Sequence, residues 1–252
     1  MMAILVHAVM TMTFMMARTV SPSMMGRTIT TRRTTLQRPP GEVVGIDLGT
    51  TSSAVAVILG GEPEVVPDAD GRMTIPSRVE FDGDGAAAVG HAAPSATALC
   101  STKRIIGRSY AHAQGSAAMR SLFGSSLRPL PDGSAGLDTR SPEDAAAALL
   151  SALLAHSEAM CGVRASKAVV TVPAHFTEPQ REATKRAAER AGLAKVRLLE
   201  EPVAAALAYG VGVEDTDELV MVFDLGGGTL DVSLLRVGRG VSTRLRLRAR
   251  AA

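Results

Sequence analysis

The feature that most constrains the fold of this chain is a short motif that occurs twice, 177 residues apart. Residues 46–52 (IDLGTTS) and residues 223–229 (FDLGGGT) each follow an apolar run, and each combines an aspartate with glycines and small hydroxyl side chains. A second apolar run, 55–58 in one copy and 232–235 in the other, comes after the motif. Each copy therefore predicts a β-hairpin with a tight turn. Two hairpins of one design indicate two related lobes that face each other.

Turns of this composition are suited to bind phosphate. Because glycine has no side chain, backbone N–H groups can approach an anion closely, and successive N–H groups form a concave nest. Thr50, Thr51 and Thr229 can add hydroxyl donors, while Asp47 and Asp224 supply the hard oxygens that Mg²⁺ takes, usually through water. One copy could be an ordinary tight hairpin, but two copies predict a clamp for a polyphosphate, its metal ion and an attacking water.

The residues between the two hairpins predict alternating helices and strands. Ser141-Pro142 is a typical N-cap and first turn, and a capping box begins at Thr177. The predicted order is a helix over 141–162, a strand over 168–172, a helix over 177–192, a strand over 196–199, a helix over 202–209 and a strand over 219–224. The apolar face of the first helix consists of Leu149, Leu150, Leu153, Leu154 and Met160. This order predicts an α/β fold with a mixed sheet.

The charge distribution sets the two ends of the chain apart from the rest. Residues 1–41 and residues 238–252 each carry five Arg and no acid, so the part between them has 17 basic against 25 acidic residues, a net charge of −8. An acidic core and an aromatic content of 3% argue against nucleic-acid binding. Two cysteines, Cys100 and Cys161, exclude a disulfide framework and a four-cysteine zinc site. Because no uncharged apolar run reaches about 20 residues, we expect no membrane-spanning helix.

Both ends leave alternatives open. The Arg-rich and hydroxyl-rich leader, residues 1–41, is typical of a disordered transit peptide for a mitochondrion or plastid. A secretory signal and an upstream stretch without function are the alternatives, and the last would leave the protein cytoplasmic. The basic tail, residues 242–252, alternates Arg and Leu and fits an edge strand, a nucleic-acid arm or, as we expect from its abrupt change of composition, an aberrant end.

Other well-known site motifs are missing from the sequence. It contains no P-loop motif, no dinucleotide-binding G-x-G-x-x-G, no G-x-S-x-G and no H-E-x-x-H. The five histidines show no metal-ligand spacing. The two hairpin loops are therefore the phosphate-binding candidates of this chain.

Five blocks of sequence, in order, resemble the nucleotide-binding domain of the seventy-kilodalton heat-shock chaperones, the DnaK-like family. They are 44–53 (VGIDLGTTSS), 101–108 (STKRIIGR), 169–186 (VVTVPAHFTEPQREATKR), 198–210 (LLEEPVAAALAYG) and 222–233 (VFDLGGGTLDVS). The sequences of residues 101–110 and 232–241 are similar to those of the family branch used for iron–sulfur cluster assembly. The resemblance implies an actin-like ATPase fold, related to ribonuclease H, with a mixed sheet and flanking helices.

The resemblance also implies roles for single residues in binding ATP or ADP with Mg²⁺. Asp47, Glu201 and Asp224 would hold the metal ion, largely through water. Lys103 would neutralise the transferring γ-phosphate and, with Glu201, Asp224 and Thr229, form the catalytic set. The residues that would wrap the phosphates are Gly49, Thr50, Thr51, Ser52, Gly226, Gly227, Gly228 and Thr229.

Pro173 and Arg181 resemble the switch and relay that connect nucleotide state to a peptide-binding domain. The implied function is ATP hydrolysis in an ATP-dependent protein-folding chaperone. The implied partners are a J-domain co-chaperone and a nucleotide-exchange factor, with an unfolded client bound only through a domain that lies outside this sequence. Neither nucleic acid nor membrane is an expected partner.

The expected domain organisation is a leader (1–41), a complete first lobe (42–212) with a small subdomain (77–139), the start of a truncated second lobe (213–241) and a tail (242–252). The strand that ends at Leu235 is expected to be an exposed edge with nothing beyond it. Because precise charge placement needs a rigid two-sided cleft, we expect weak or absent hydrolysis. A catalytically inert truncated product and a sugar or small-molecule kinase of the actin-like superfamily are the alternatives. Departures from the family pattern include Ser52, His175, Glu200, Val203 and Leu230, and Glu200 places a second charge beside Glu201.

Overall fold

The first hairpin forms the centre of the larger sheet in the computed structural model, which describes residues 14–18, 43–93, 97–138, 140–209, 218–226, 230–238, 241–245 and 250–251. Strands β2 (Val43–Asp47) and β3 (Ser52–Leu59) pair antiparallel, as predicted, and β4 (Glu62–Val65) continues the sheet beyond β3. On the other side of β2 lie the parallel strands β11 (Lys167–Val172) and β12 (Lys195–Glu200). The order β12–β11–β2–β3–β4 is the mixed sheet that the sequence predicted.

The two faces of β11 are buried against different parts of the molecule. Val170 packs into the main core together with helices α3 (Pro142–Cys161) and α4 (Glu178–Arg190). Val169, its neighbour in the strand, belongs instead to a second core that contains α5 (Glu201–Ala208). Because successive side chains of a strand point to opposite faces, a continuous apolar run can be buried on both sides. Strand β11 therefore packs against α3 and α4 on one face and against the core of α5 on the other.

The second hairpin consists of β13 (Glu218–Leu225) and β14 (Leu230–Gly238), which pair antiparallel as predicted. The register places Asp224 directly opposite Asp231. Residues directly opposite each other in an antiparallel pair project to the same face of the sheet. Two carboxylates therefore leave the second hairpin on one side, next to its loop.

The sequence predicted an exposed edge at β14 and no element in the leader, and the structure differs at both places. Strand β15 (Val241–Leu245) pairs with the outer side of β14, so the prediction of an exposed edge there is wrong. On the other side of the hairpin, β1 (Phe14–Arg18) from the leader pairs antiparallel with β13. β16 (Arg250–Ala251) also pairs with β14. Unpaired backbone groups at a strand edge favour pairing with any extended segment in reach, which is the physical reason for these contacts.

The segment between β4 and α3 forms small sheets of its own. A three-stranded sheet has the order β7–β6–β8, and a two-stranded one pairs β9 with β10. Their bounds, with those of the remaining elements, are β5 (Ile75–Pro76), β6 (Arg78–Phe81), β7 (Ala87–Val89), β8 (Leu99–Cys100), α1 (Tyr110–Gly115), α2 (Ala117–Phe123), β9 (Leu127–Pro129) and β10 (Ala135–Leu137). Short 3₁₀ turns lie at Gly90–Ala92, Thr102–Arg104 and Gly124–Ser126. The middle one carries Lys103 towards the large sheet.

Helix α3 begins and ends where its sequence predicts. The Ser141 hydroxyl accepts from the Asp144 N–H at 3.0 Å while the Asp144 carboxylate accepts from the Ser141 N–H at 3.0 Å, and Gly162 ends the helix in the left-handed conformation. Leu150 is fully buried, but Met160, predicted on the same apolar face, is 46% exposed in the last turn of the helix. No helix in the described part of the chain is both long and apolar enough to cross a bilayer.

The capping box of α3 gives a stability prediction. Ser141→Ala removes both a donor to Asp144 and the acceptor for its N–H, so we expect the free energy of unfolding to fall by about 1 kcal/mol. Urea denaturation followed by circular dichroism measures the change. Ser151→Ala, on the exposed side of the same helix, is the matched control and is expected to be neutral or slightly stabilising. Equal destabilisation by both variants would contradict the role of the cap.

Candidate functional site

The first hairpin loop is held by hydroxyl groups beneath it. The Gly49 N–H donates to Ser53 Oγ at 3.1 Å, and Ser53 Oγ lies 2.8 Å from the buried Ser77 Oγ. The Ser77 N–H in turn donates to the Thr51 carbonyl at 2.8 Å. Any side chain at Gly49 would place its Cβ 1.9 Å from the Ser52 carbonyl oxygen, so only glycine fits this turn. Gly49 therefore shapes the loop, and its own N–H is already engaged inside it.

Two residues predicted to bind phosphate line the same cavity as Lys103. Gly49, Thr50 and Lys103 line a small cavity, together with Thr171, that has room for about one water molecule. Thr51 and Ser52 are exposed at the tip of the same loop. The loop thus offers hydroxyl groups both to the cavity and to the open side.

Lys103 and Glu201 form a buried ion pair across the site. Lys103 Nζ donates to Glu201 Oε1 at 2.6 Å, although the residues are 98 positions apart, and their side chains are only 9% and 12% exposed. Burial raises the pKa of Glu201, and the nearby Asp47 and Asp231 charges act in the same direction, whereas Lys103 lowers it. Burial and the ion pair therefore act on the pKa of Glu201 in opposite directions.

Asp47 ends β2 inside the same cluster. Thr171 Oγ1, from the neighbouring strand β11, donates to Asp47 Oδ1 at 2.9 Å. Burial raises the pKa of Asp47, while the Lys103 charge and the Thr171 hydrogen bond lower it. The sequence alone does not indicate Thr171, because its contact with Asp47 depends on the register of β11 beside β2, which apolar runs do not determine.

The second hairpin brings Asp224 into this cluster. Burial, followed by the charges of Glu201 and Asp47, raises the pKa of Asp224 to about 7, while Lys103 lowers it. The charge of Asp231, across the hairpin, contributes to the same rise. The structure therefore brings together Asp47, Lys103, Glu201 and Asp224, which the sequence analysis had placed in one site. It adds Asp231, which lies opposite Asp224 in the hairpin. The pairing follows from the sequence if residues are paired outward from the loop.

The donor set of this cluster fits a hydrated magnesium ion. Asp47, Glu201 and Asp224 share one lysine, and Asp231 acts on the last two, an excess of negative charge that a divalent cation would neutralise. Within the described ranges, no three His, Cys, Asp or Glu side chains lie close enough together to hold a bare ion. Mg²⁺ usually keeps several of its waters, so carboxylates spaced further apart can hold it through them. Of the second loop, Gly226 is described, whereas Gly227, Gly228 and Thr229 lie outside the described residues.

The predicted relay residues are connected by hydrogen bonds through a loop. Arg181 Nε donates to the Phe176 carbonyl at 3.2 Å, and the Phe176 N–H donates to the Pro173 carbonyl at 3.0 Å. The same loop places His175 Nδ1 3.8 Å from Asp231 Oδ1, so it also reaches the second hairpin.

Glu200, the departure beside Glu201, has its own cationic partner. Arg181 Nη2 donates to Glu200 Oε1 at 2.8 Å. The charges that act most strongly on the pKa of Glu201 are Lys103, Asp47 and Asp231. The neighbouring acid is thus directed towards α4 and away from the cluster.

Comparisons with known proteins agree on one family. A family model described as Hsp70 protein matches residues 43–246. Chaperone protein DnaK of Deinococcus proteolyticus is 46% identical over 79% of this chain and 32% of its own length. Heat shock protein hsp-6 of Caenorhabditis elegans is 38% identical over 89% of this chain and 35% of its own length. Chaperone protein dnaK1 of a Synechocystis species is 42% identical over 80% of this chain and 30% of its own length. The chain thus spans about a third of the length of these curated relatives.

The raised pKa of Asp224 predicts a pH-dependent stability. Because the folded state holds this proton up to about pH 7 and the unfolded state releases it near the ordinary value of 3.8, stability falls as pH rises through that window. In EDTA and without nucleotide, Asp224→Asn should therefore raise the melting temperature at pH 8 and much less at pH 4. The expected shift is about 2–4 °C for each kcal/mol relieved.

Differential scanning fluorimetry at both pH values measures this effect. Asp84→Asn, at an exposed turn, is the matched control and should leave the pH profile unchanged. An Asp224→Asn profile that runs parallel to that of the parent protein would contradict the carboxylate cluster.

Proposed function

The chain belongs to the Hsp70 family, and from this membership we propose that it binds ATP or ADP with Mg²⁺ between its two hairpins, as the nucleotide-binding part of an ATP-dependent protein-folding chaperone. The observation that carries the proposal is the convergence of Asp47, Lys103, Glu201 and Asp224 from four separate segments. A purely structural core has no reason to collect three acids around one lysine, because each buried charge costs free energy unless it is paired.

The chain's own residues suit the two ends of a polyphosphate. Thr50 and Thr51 present hydroxyl groups at the first loop, and the glycine loop 226–228 with Thr229 would approach from the other hairpin. Bound Mg²⁺ would neutralise phosphate charge and orient the phosphate oxygens. Asp47, Glu201 and Asp224 would hold it through its waters.

Lys103 and Asp224 have the properties needed for hydrolysis. Lys103 would carry its charge to the terminal phosphate from a position already beside the first loop. The Asp224 carboxylate, with a pKa of about 7, is able to hold or release a proton near neutral pH and so to position an attacking water. These roles agree with those implied by the sequence resemblance.

We expect turnover by this chain to be weak. The first hairpin is packed into a large core with α3 and α4, whereas among the described residues the second rests on a smaller core, formed by four α5 alanines with aliphatic side chains of β11, β13 and β14. Exact charge placement around a phosphate depends on rigid walls, and a loosely supported wall loses it. A nucleotide-binding chain without turnover is therefore the second candidate function, and the family match favours both over the sugar-kinase alternative.

The wider biology of the chain is proposed from its family. A J-domain co-chaperone and a nucleotide-exchange factor are the proposed protein partners, and the client would bind through a further domain. The leader composition supports import into a mitochondrion or plastid, which mass spectrometry of the mature N-terminus from cells can test. The iron–sulfur-assembly branch stays a prediction, because the family model matches the family as a whole.

Nucleotide binding is the first test of the proposal. At 100 times its dissociation constant, a ligand that binds only the folded state adds about 2.7 kcal/mol to stability. ADP with Mg²⁺ should therefore raise the melting temperature, and ADP with EDTA should raise it much less. Asp47→Asn should remove the difference between the two conditions, whereas Asp84→Asn should preserve it. Absence of any shift at millimolar nucleotide would overturn the proposed function.

Hydrolysis is the second test, measured as single-turnover conversion of bound ATP because steady-state rates are expected to be low. Lys103→Ala should lower the rate by about 100-fold or more while changing ATP affinity little. Lys185→Ala, which removes an exposed ion pair with Glu182, is the matched control and should keep the parent rate. Equal rates for Lys103→Ala and the parent chain would refute the role of Lys103, and steady-state turnover equal to that of a full-length family member would refute weak hydrolysis.

A further inference from the structure

The junction between β12 and α5 carries two consecutive acids, and each has a separate cation. Glu201, the first residue of α5, is bound by Lys103 at 2.6 Å. Glu200, the last residue of β12, is bound by Arg181 at 2.8 Å. The two cations come from different elements, the 3₁₀ turn before α1 and the helix α4. The peptide between the two acids is thus held from two directions.

Arg181 is itself fixed by a second hydrogen bond. Its Nε donates to the Phe176 carbonyl at 3.2 Å, while its Nη2 donates to Glu200. A guanidinium group is a rigid plane, so two acceptors on different N–H groups determine its position and its orientation. Arg181 and Glu200 are also largely shielded, with side chains 22% and 28% exposed. Arg181 therefore joins the loop after β11 to the start of α5.

The backbone at the junction makes Glu201 sensitive to this contact. Glu200 has extended dihedrals, φ −67° and ψ 132°, and α5 begins immediately after it without a side-chain cap. The start of α5 lacks the hydroxyl cap that fixes α3. Pro202 in the first turn favours a helix start here, and the Arg181–Glu200 contact connects the residue before it to α4.

We propose that Glu200 is a positioning residue for the site: by binding Arg181 it fixes the β12–α5 junction and so presents Glu201 to Lys103. The functional meaning of this inference rests on the proposed function, since it matters only if Lys103 and Glu201 serve a nucleotide. An exposed ion pair of no consequence would contribute little and would leave Lys103 unaffected.

A simple charge effect predicts the opposite result, which makes the proposal testable. If Glu200 acted only as a negative charge next to Glu201, its removal would favour ionised Glu201 and tighten the bond to Lys103. If Glu200 acts by position, its removal loosens that bond and frees the lysine. The reactivity of Lys103 towards an amine-specific acylating reagent, followed by mass spectrometry, separates the two.

The experiment compares Glu200→Gln with Glu182→Gln, which removes an exposed carboxylate from α4 next to Arg181. In the full chain without nucleotide, we expect Lys103 to be acylated severalfold faster in Glu200→Gln and at the parent rate in Glu182→Gln. Lys167, in the central strand β11, reports on the fold and should react at the same rate in all three proteins. An unchanged or slower Lys103 rate in Glu200→Gln would overturn the proposal.

A second variant covers the case in which Glu200→Gln also accelerates Lys167 and so loosens the whole fold. Arg181→Lys keeps the positive charge but cannot donate to Phe176 and Glu200 with fixed geometry. It should raise the Lys103 rate while leaving Lys167 unchanged, and failure to do so would overturn the proposal.

A nucleotide arm separates the two levels of inference. ATP with Mg²⁺, whose terminal phosphate Lys103 would face, should protect Lys103 from acylation in the parent chain. Absence of protection with a fast Lys103 rate in Glu200→Gln would count against the proposed function and leave the positioning role standing. Protection with an unchanged Lys103 rate in Glu200→Gln would support the proposed function and overturn the positioning role.

Discussion

The buried pair of Lys103 and Glu201 is the interaction on which the site depends. It joins the small-sheet segment to the start of α5, and it brings a positive charge that lowers the pKa of Asp47, Glu201 and Asp224. Without that cation, Asp47, Glu201 and Asp224 would repel one another in a shielded environment, and the pKa of each would rise further. The charges do not cancel, because one lysine faces several acids. A site that lacks positive charge in this way is ready to accept a cation.

The two sheets repeat one plan with an instructive difference. In the first, β2, β3 and β4 follow one another in antiparallel order and the parallel strand β11 lies on the far side of β2. In the second, β13, β14 and β15 take the same places, but the far side of β13 is occupied by β1, which runs antiparallel. The repeated motif thus determines three neighbouring strands, whereas the fourth place is filled by whatever extended segment can reach it.

The sequence predicted local structure well and side-chain partnerships only in part. The caps of α3 and both hairpins were predictable because a few neighbouring residues determine them. Asp47, Lys103, Glu201 and Asp224 were assigned to one site from the resemblance and from the repeated loop. Thr171 and Asp231 were missed because their roles depend on strand register, and Glu200 was interpreted as a disturbing charge because nothing local indicates that Arg181 binds it. An edge strand was one interpretation of the tail, and β15 covers its first residues, whereas β1 follows from long-range pairing that composition does not reveal.

The hydrogen bonds under the first loop have a mechanical consequence. Ser77 stands just before β6, in the segment with the small sheets, yet it contacts Ser53 by its side chain and Thr51 by its backbone. A swing of that segment away from the large sheet would break both contacts and pull on the turn that only glycine can form at position 49. Movement of the segment and distortion of the loop are therefore coupled. A phosphate bound at the loop would hold the segment in place, and its release would allow the loop and the segment to relax together.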